Sequence, residues 1–221
     1  MDLNRIFHDT KTFAELLDED IEKFLSERRF RHEHLNLEFK RQFPLRVGGR
    51  YDIIDICKYI AGFSNEEGGV VIYGVADSIK DPNTPYPAYV TGLSQAPSIE
   101  DLSQWVTQRV TPLVQSPAVR WFKVNGKDVV ILKIPEGVNR PYAYTEPPSN
   151  SLTFFTKTAG GMKELKSDEV KELYWSAIIQ QADHIMRAGI LRGMDVPRPA
   201  VTCPASSDHS DLENSAGLGL H

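Results

Sequence analysis

The sequence predicts a mixed α/β (α+β) domain, with a mixed β-sheet packed with helices, and three observations carry that expectation. The segment His34–Lys40 alternates apolar and polar residues, as a strand with one buried face does. The run Val70-Val-Ile-Tyr-Gly-Val75 is continuously apolar, too short for a helix of normal length and rich in β-branched residues, which suits a central strand buried on both faces. Around these lie stretches whose apolar residues recur at three- and four-residue steps, the period of an amphipathic helix.

From Thr12 to Arg29 the residues Phe13, Leu16, Leu17, Ile21, Phe24 and Leu25 predict one amphipathic helix or two short ones. In the strand that follows, Leu35, Leu37 and Phe39 face the core, with His34, Asn36, Glu38 and Lys40 on the polar side. Pro44 to Arg50, with Gly48-Gly49, is a loop. Tyr51 to Phe63 puts Ile53, Ile56, Ile60 and Phe63 on one helical face, and Ser64-Asn65 with the glycines after them supplies the stop. A proline-rich loop through Asp81 to Pro87 leads to a short strand expected at Tyr89 to Leu93. Ser98 and Asp101 imitate a capping box for a helix through Ile99, Leu102, Trp105, Val106 and Val110, closed by Pro112. Ala118–Val124 and Asp128–Ile134 flank Asn125-Gly126, the strongest short hairpin signal. Leu152–Thr156 predicts another strand, and Ser167-Asp-Glu-Val opens a helix running to roughly Met186.

A chain of 221 residues supports one well-filled core with attached helices and a tail. The boundaries read as a helical N-terminal extension over 1–32, a domain over 33–190 and a tail over 191–221. That tail holds prolines, serines and glycines with little to bury, and disorder is expected there. No apolar run approaches the roughly 18 residues of a membrane span, and the first residues lack the layout of a signal peptide, so no membrane contact and a cytoplasmic location are expected. Cys57 sits in a helical apolar pattern and Cys203 in the tail, which argues against a structural disulfide. Trp105, Trp121 and Trp175 fall on apolar patterns and are read as core.

The formal net charge is −5, so coating of nucleic acid by bulk charge is excluded. Its distribution is uneven. Residues 28 to 50 hold seven cations, Arg28, Arg29, Arg31, Lys40, Arg41, Arg46 and Arg50, against Glu33 and Glu38, a local surplus of five positive charges. The acidic residues gather elsewhere, notably at Asp18, Glu19, Asp20 and Glu22.

Glu38 and Lys40, two residues apart on a strand, project from the same face. A carboxylate there can hold a divalent cation while the lysine steadies a phosphate oxygen or attacking water. Asp77, just past the buried strand, supplies a second carboxylate if the two strands are neighbours. Glu33 lies an odd offset of five from Glu38, so it precedes the strand or sits at a bulge. The same pattern also describes a solvated strand face with a turn-capping Asp77 and a solvated basic rim. His32 and His34 flank Glu33 as possible ligands or plain surface residues. Gly68-Gly69 lacks the Gly-Lys-Ser/Thr ending of a phosphate loop and follows a helix rather than preceding one, so it reads as a tight turn and no ATP is expected.

Glu33-His-Leu-Asn-Leu-Glu38-Phe39-Lys40, followed by Ile60-Ala-Gly-Phe-Ser-Asn65-Glu-Glu-Gly68-Gly69-Val-Val-Ile-Tyr-Gly74-Val75-Ala-Asp77, resembles the two signature blocks of the Schlafen AlbA-2 domain family. The similarity continues more weakly through Thr91-Gly-Leu93, the Asn125-Gly126 hairpin with Ile134-Pro135, and Arg140-Pro-Tyr-Ala-Tyr144. The resemblance implies a single AlbA-like domain that binds nucleic acid, RNA favoured and DNA possible. It further implies a metal-dependent endoribonuclease acting on structured, tRNA-like RNA, with Glu33, Glu38 and Asp77 holding Mg²⁺ or Mn²⁺. Lys40 would then offset charge at the phosphate, and Arg28, Arg29, Arg31, Arg41, Arg46, Arg50 and Lys157 would guide the backbone. Lys157 stands in Phe155-Thr-Lys157, where the family often has an arginine. Eukaryotic nucleases of the family carry two such lobes in tandem around a cleft, so a two-walled cleft built from this one lobe would need a homodimer. Non-catalytic members imply the alternative of a DNA-binding or transcription-regulatory module, and a protein-interaction domain is the third reading.

Overall fold

Both faces of the first sheet are covered, and that fact organises the molecule. The computed structural model describes residues 10–27, 35–45, 51–76, 86–115, 117–146 and 148–191. Contacts divide the chain into a unit of residues 1–181 and a second of residues 182–221. In the second, the described residues are helical, with Arg187 Nε 2.8 Å from Asp183 Oδ2.

Two short helices, α1 (Thr10–Glu15) and α2 (Asp18–Ser26), precede β1 (Leu37–Lys40). Helix α3 (Ile53–Ser64) crosses to β2 (Gly69–Tyr73), which lies parallel to β1 with Glu38 opposite Val71 and Lys40 opposite Tyr73. Helix α4 (Ile99–Arg109), the brief β3 (Val110–Thr111), the hairpin β4 (Ala118–Val124) and β5 (Lys127–Ile134) follow. Then come β6 (Ala143–Glu146), β7 (Ser151–Thr158), β8 (Gly161–Glu164) and helix α5 (Ser167–Leu191). The strands form two four-stranded sheets, in the orders β1-β2-β5-β4 and β3-β6-β7-β8.

Side-chain alternation sorts the first sheet into two cores. Leu37, Phe39, Val70, Ile72, Val129 and Ile131 point to one side, where α1 and α2 bury Phe13, Leu16, Ile21, Phe24 and Leu25 against them. Val71, Tyr73, Val130, Leu132 and Ile134 point to the other, against Ile56, Ile60 and Phe63 of α3, Leu102 and Val106 of α4, and Tyr144 and Phe155 of the second sheet. The order of layers is therefore helices, sheet, helices, sheet. The N-terminal helices share a core with the first sheet, so the boundary expected at residue 32 divides the sequence but not the packing.

Polar side chains fix those helices. Asp18 Oδ1 accepts from the Lys123 amide of β4 at 2.9 Å, Glu22 Oε1 accepts from the Tyr86 hydroxyl at 2.7 Å, and Arg120 Nη1 donates to the Phe13 carbonyl at 2.6 Å. Asp18, Glu19 and Asp20 stand in the first turn of α2, where negative charge offsets the helix dipole. Ser98 Oγ accepts from Asp101 N at 3.0 Å and caps α4 as its spacing predicts. Asn125 and Gly126 take φ of 50° and 75°, the two left-handed positions of a primed hairpin turn. Gly68 takes φ of 78°, and a Cβ there would meet the Ile134 carbonyl oxygen at 2.7 Å, so the tight turn before β2 requires glycine.

Four expectations need correction. Strand β1 is buried on both faces rather than one, because α3 covers the side that carries Glu38. Tyr89–Leu93 is not a strand, since Val90 makes just an isolated bridge to Val75. Trp121 and Trp175 are not core: Trp121 lies on the edge strand β4 and Trp175 on α5, and both are exposed. Leu35, placed by the alternation in the core, precedes the strand and is exposed. No helix among the described residues is long and apolar enough to cross a membrane.

Packing of α1 and α2 yields a direct test. Phe24→Ala empties a buried aromatic site and is expected to cost about 3–5 kcal/mol in denaturant unfolding. A chain beginning at Glu33 would leave one face of the first sheet bare, and it is expected to elute as aggregate on size exclusion. A monodisperse, cooperatively melting product would show the helices to be dispensable.

Candidate functional site

Parallel pairing of β1 with β2 brings Lys40 and Tyr73 to the same end of the sheet. Asp77 follows four residues after Tyr73, and the expected adjacency of the two strands is thus observed. Asp77 itself lies outside the described residues, as do Glu33, Arg28, Arg29, Arg31, Arg46, Arg50, His32 and His34. Glu38, Lys40, Arg41 and Lys157 are described, and three of these meet.

Glu38 projects from β1 toward α3 and is 2% exposed. Its Oε1 lies 2.6 Å from Lys40 Nζ and accepts from the Tyr59 hydroxyl at 3.0 Å. Its Oε2 lies 2.7 Å from Lys157 Nζ, and this contact is the sole side-chain partner of both atoms among the described residues. Tyr59 belongs to α3 and Lys157 to β7, so three elements from both sheets and the helix between them converge on one carboxylate. Lys40 Nζ also lies 5.2 Å from the centroid of the Tyr59 ring, within reach of a cation–π contact.

Electrostatics follow from this arrangement. Burial alone would raise the Glu38 carboxyl, but the Lys157 and Lys40 ammonium groups outweigh it and hold the group below its ordinary value. Lys40 would be lowered by burial, yet Glu38 and Tyr59 raise it above the ordinary lysine value. Burial pushes the Tyr59 phenol up. With two ammonium ions to one carboxylate the cluster carries a net charge of +1. Lys157 is wholly inside, whereas 34% of the Lys40 side chain is exposed, so the surplus charge reaches solvent through Lys40. Arg41 beside it is exposed, and Lys58 on α3 is half-buried with Nζ 5.3 Å from the Phe155 ring centroid.

A divalent cation at Glu38 would compete with the ammonium groups already paired with it. Mg²⁺ binds carboxylate oxygens at about 2.0–2.1 Å and needs about six ligands. Both Glu38 oxygens already face ammonium groups, so a cation there would have to displace at least one of them; Glu33 and Asp77, the other expected ligands, lie outside the described residues. Lys157, expected to guide a phosphate backbone, is buried and spends its ammonium on Glu38.

Two further residues were not evident in the sequence. Tyr59 falls beside the apolar stripe of α3, and nothing in its spacing reveals what its hydroxyl meets. Asn65, read as a helix stop, is 1% exposed and bolts three segments together. Its Nδ2 donates to the Tyr142 and Phe155 carbonyls at 2.8 Å each, and its Oδ1 accepts from Tyr142 N at 2.6 Å. Arg140 supports the same turn, donating to the Glu66 carbonyl at 2.6 Å and the Gly137 carbonyl at 3.1 Å.

The family model described as Schlafen, AlbA_2 matches residues 33–166, more than half of the chain. Among solved structures, the DIP2311 protein from Corynebacterium diphtheriae is 18% identical with a TM-score of 0.41, and the match covers 59% of this chain and 25% of that one. The chain thus spans about a quarter of that protein's length. The N-terminal domain of a RecG-related protein from Nitrosomonas europaea is also 18% identical, with a TM-score of 0.38, covering 59% of this chain and 83% of that domain. Likeness at this level carries no inference about function. No curated protein matches the chain.

The cluster makes a prediction about stability. Lys157→Met leaves a buried carboxylate short of one partner and is expected to cost about 3 kcal/mol, whereas Lys40→Ala, at the exposed end, costs about 1 kcal/mol. Glu38 titrates in the folded protein below its ordinary 4.5, so its contribution is complete above that pH and is lost as pH falls through the folded value. The gap in unfolding free energy between the native chain and Glu38→Gln is therefore expected to be constant above pH 4.5 and to narrow below it, as measured by urea titration at stepped pH.

Proposed function

Because the chain belongs to the Schlafen AlbA_2 family, we propose that it is a nucleic-acid-binding domain whose contact surface is the cationic end of β1. The observation that carries this reading is the net positive cluster around Glu38, which presents Lys40, with a third of its side chain exposed, next to the exposed Arg41. A phosphate oxygen is the complementary ligand for an ammonium of this kind. The local surplus of positive charge in residues 28 to 50 supports it, with Arg28, Arg29, Arg31, Arg46 and Arg50 as the flanking backbone contacts. Structured RNA is the favoured ligand and the cytoplasm the setting.

A second reading, the metal-dependent endoribonuclease, is supported by the parallel pairing of β1 and β2, which brings the strand preceding Asp77 beside the one carrying Glu38. It requires Mg²⁺ or Mn²⁺ at Glu33, Glu38 and Asp77, and hence displacement of ammonium groups from Glu38. A second copy supplying the facing wall of a cleft belongs to this reading.

Affinity for a labelled RNA hairpin is expected to fall steeply with KCl, and Lys40→Ala is expected to lower the log–log salt slope by about one, the signature of a lost phosphate contact. Salt-independent binding, or an unchanged slope in Lys40→Ala, would remove Lys40 from the interface. Incubation of tRNA with the protein and Mn²⁺ decides the second reading: cleavage abolished by EDTA and by Glu38→Ala establishes it, and intact RNA eliminates it. A protein that cleaves while eluting as a monomer removes the second copy.

A further inference from the structure

We propose that Lys157 takes, as a built-in ammonium, the place at Glu38 that a divalent cation would need, and that Glu38 is thereby a positioning residue that holds Lys40 for phosphate, so that this interface works without metal. The inference rests on the nucleic-acid-binding reading and adds to it which cation the site uses.

Three observations lead there. First, the Glu38 oxygens are divided between two ammonium groups, Lys40 on Oε1 at 2.6 Å and Lys157 on Oε2 at 2.7 Å. A metal ion at coordination distance from Oε2 would stand against the Lys157 charge with no water between them to screen it. Second, Lys157 cannot retreat. Its side chain is fully enclosed, and β7 is pinned two residues earlier, where the Phe155 carbonyl accepts from Asn65. Admitting a metal would therefore mean unpacking β7 from α3, whereas Lys40, with a third of its side chain in solvent, stands at the open end of the cluster. Third, the geometry on the Lys40 side is that of a held group. Its ammonium is fixed between Glu38 and the Tyr59 ring, and Tyr59 is itself fixed by its hydrogen bond to the same Oε1. A lysine restrained in this way loses less side-chain freedom when a phosphate arrives than an unrestrained surface lysine does.

The expected chemistry is one of pure positioning. Glu38 touches no ligand; it pairs with the Lys40 and Lys157 ammonium groups and accepts from the Tyr59 hydroxyl, and Lys40 donates an N–H outward to a phosphate oxygen. No bond is made or broken.

The test uses the full chain and two independent measurements. In calorimetric titration with Mn²⁺, the native protein and Glu38→Gln are expected to give superimposable isotherms. A Mn²⁺ site that Glu38→Gln abolishes overturns the proposal, whether or not nucleic acid binds. In fluorescence anisotropy with a labelled RNA hairpin, the Kd of the native protein in EDTA and in Mn²⁺ is expected to agree within about twofold, whereas tightening of about tenfold or more in Mn²⁺ overturns it. Glu38→Gln should lower the salt slope by about one, as Lys40→Ala does, and the double variant should lower it no further. A slope unchanged in Glu38→Gln removes the positioning role, because a merely structural carboxylate would leave the slope alone. If Glu38→Gln does not give a native circular dichroism spectrum and melt, the comparison of EDTA with Mn²⁺ on the native protein decides alone. If the RNA binds in neither buffer, the nucleic-acid reading fails, and the Mn²⁺ isotherms still decide whether Glu38 is a metal ligand.

Discussion

A carboxylate buried between a sheet and a helix must be neutralised where it stands, and Glu38 imposes that condition on three elements at once. An unpaired buried ion costs several kcal/mol, a large share of the stability of an ordinary domain. The condition is met by Lys40 two residues along β1, by Tyr59 from α3 and by Lys157 from β7. Each partner constrains its own element. Tyr59 reaches Oε1 if α3 is rotated with that position toward β1, and Lys157 reaches Oε2 if the second sheet lies across α3 in its observed register. One side chain thus couples the first sheet, the central helix and the second sheet, and moving any of them strands a charge.

Asn65 extends that coupling to the backbone. Helix α3 ends inside the protein, where unsatisfied carbonyl and amide groups are costly. The Asn65 amide group answers this need in two directions, to the Tyr142 main chain on one side and the Phe155 carbonyl on the other. Phe155 and Lys157 lie on the same face of β7, so the bond that satisfies Phe155 also fixes the register that delivers Lys157 to Glu38. The tight turn at Gly68 completes the arrangement by returning the chain at once into β2, beside β1. The close spacing of Asn65, Gly68 and β2 in the sequence has this physical basis: a buried helix end, a left-handed turn and a central strand are packed into eight residues or so.

Periodicity and turn chemistry are local, and the elements that depend on them were legible. The Asn125-Gly126 hairpin, the Ser98 cap of α4, the apolar β2 and the start of α5 at Ser167 all stand where their residues place them. Alternation in β1 correctly put Glu38 and Lys40 on one face. It could not say what covers that face, because the cover comes from α3 and β7, the latter more than a hundred residues along the chain. The exposure of Trp121 and Trp175 was hidden for a related reason: an apolar pattern marks a strand or helix face, and tertiary packing decides whether anything lies against it. The short strands β3, β6 and β8 carry too few residues to show a period, and they exist because β7 pairs β6 and β8 and β6 in turn pairs β3. The pairing of Lys157 with Glu38 joins residues 119 positions apart, and no local rule reads such a contact.

The same layering explains how a chain of net charge −5 can offer a cationic edge. The acidic residues of α2 lie on the far side of the first sheet from the Glu38 cluster, and several are committed there. Asp18 holds the Lys123 amide, Asp20 accepts from Leu17 N at 2.9 Å, and Glu22 holds the Tyr86 hydroxyl. A packed layer is about 10 Å thick, and the screening length at physiological salt is about 8 Å. A phosphate approaching the end of β1 therefore meets Lys40 and Arg41 within one screening length, while the α2 carboxylates act through a sheet and beyond it. Net charge sums over both faces, but a ligand at one face responds to the charges nearest it, and the sheet keeps the two populations apart.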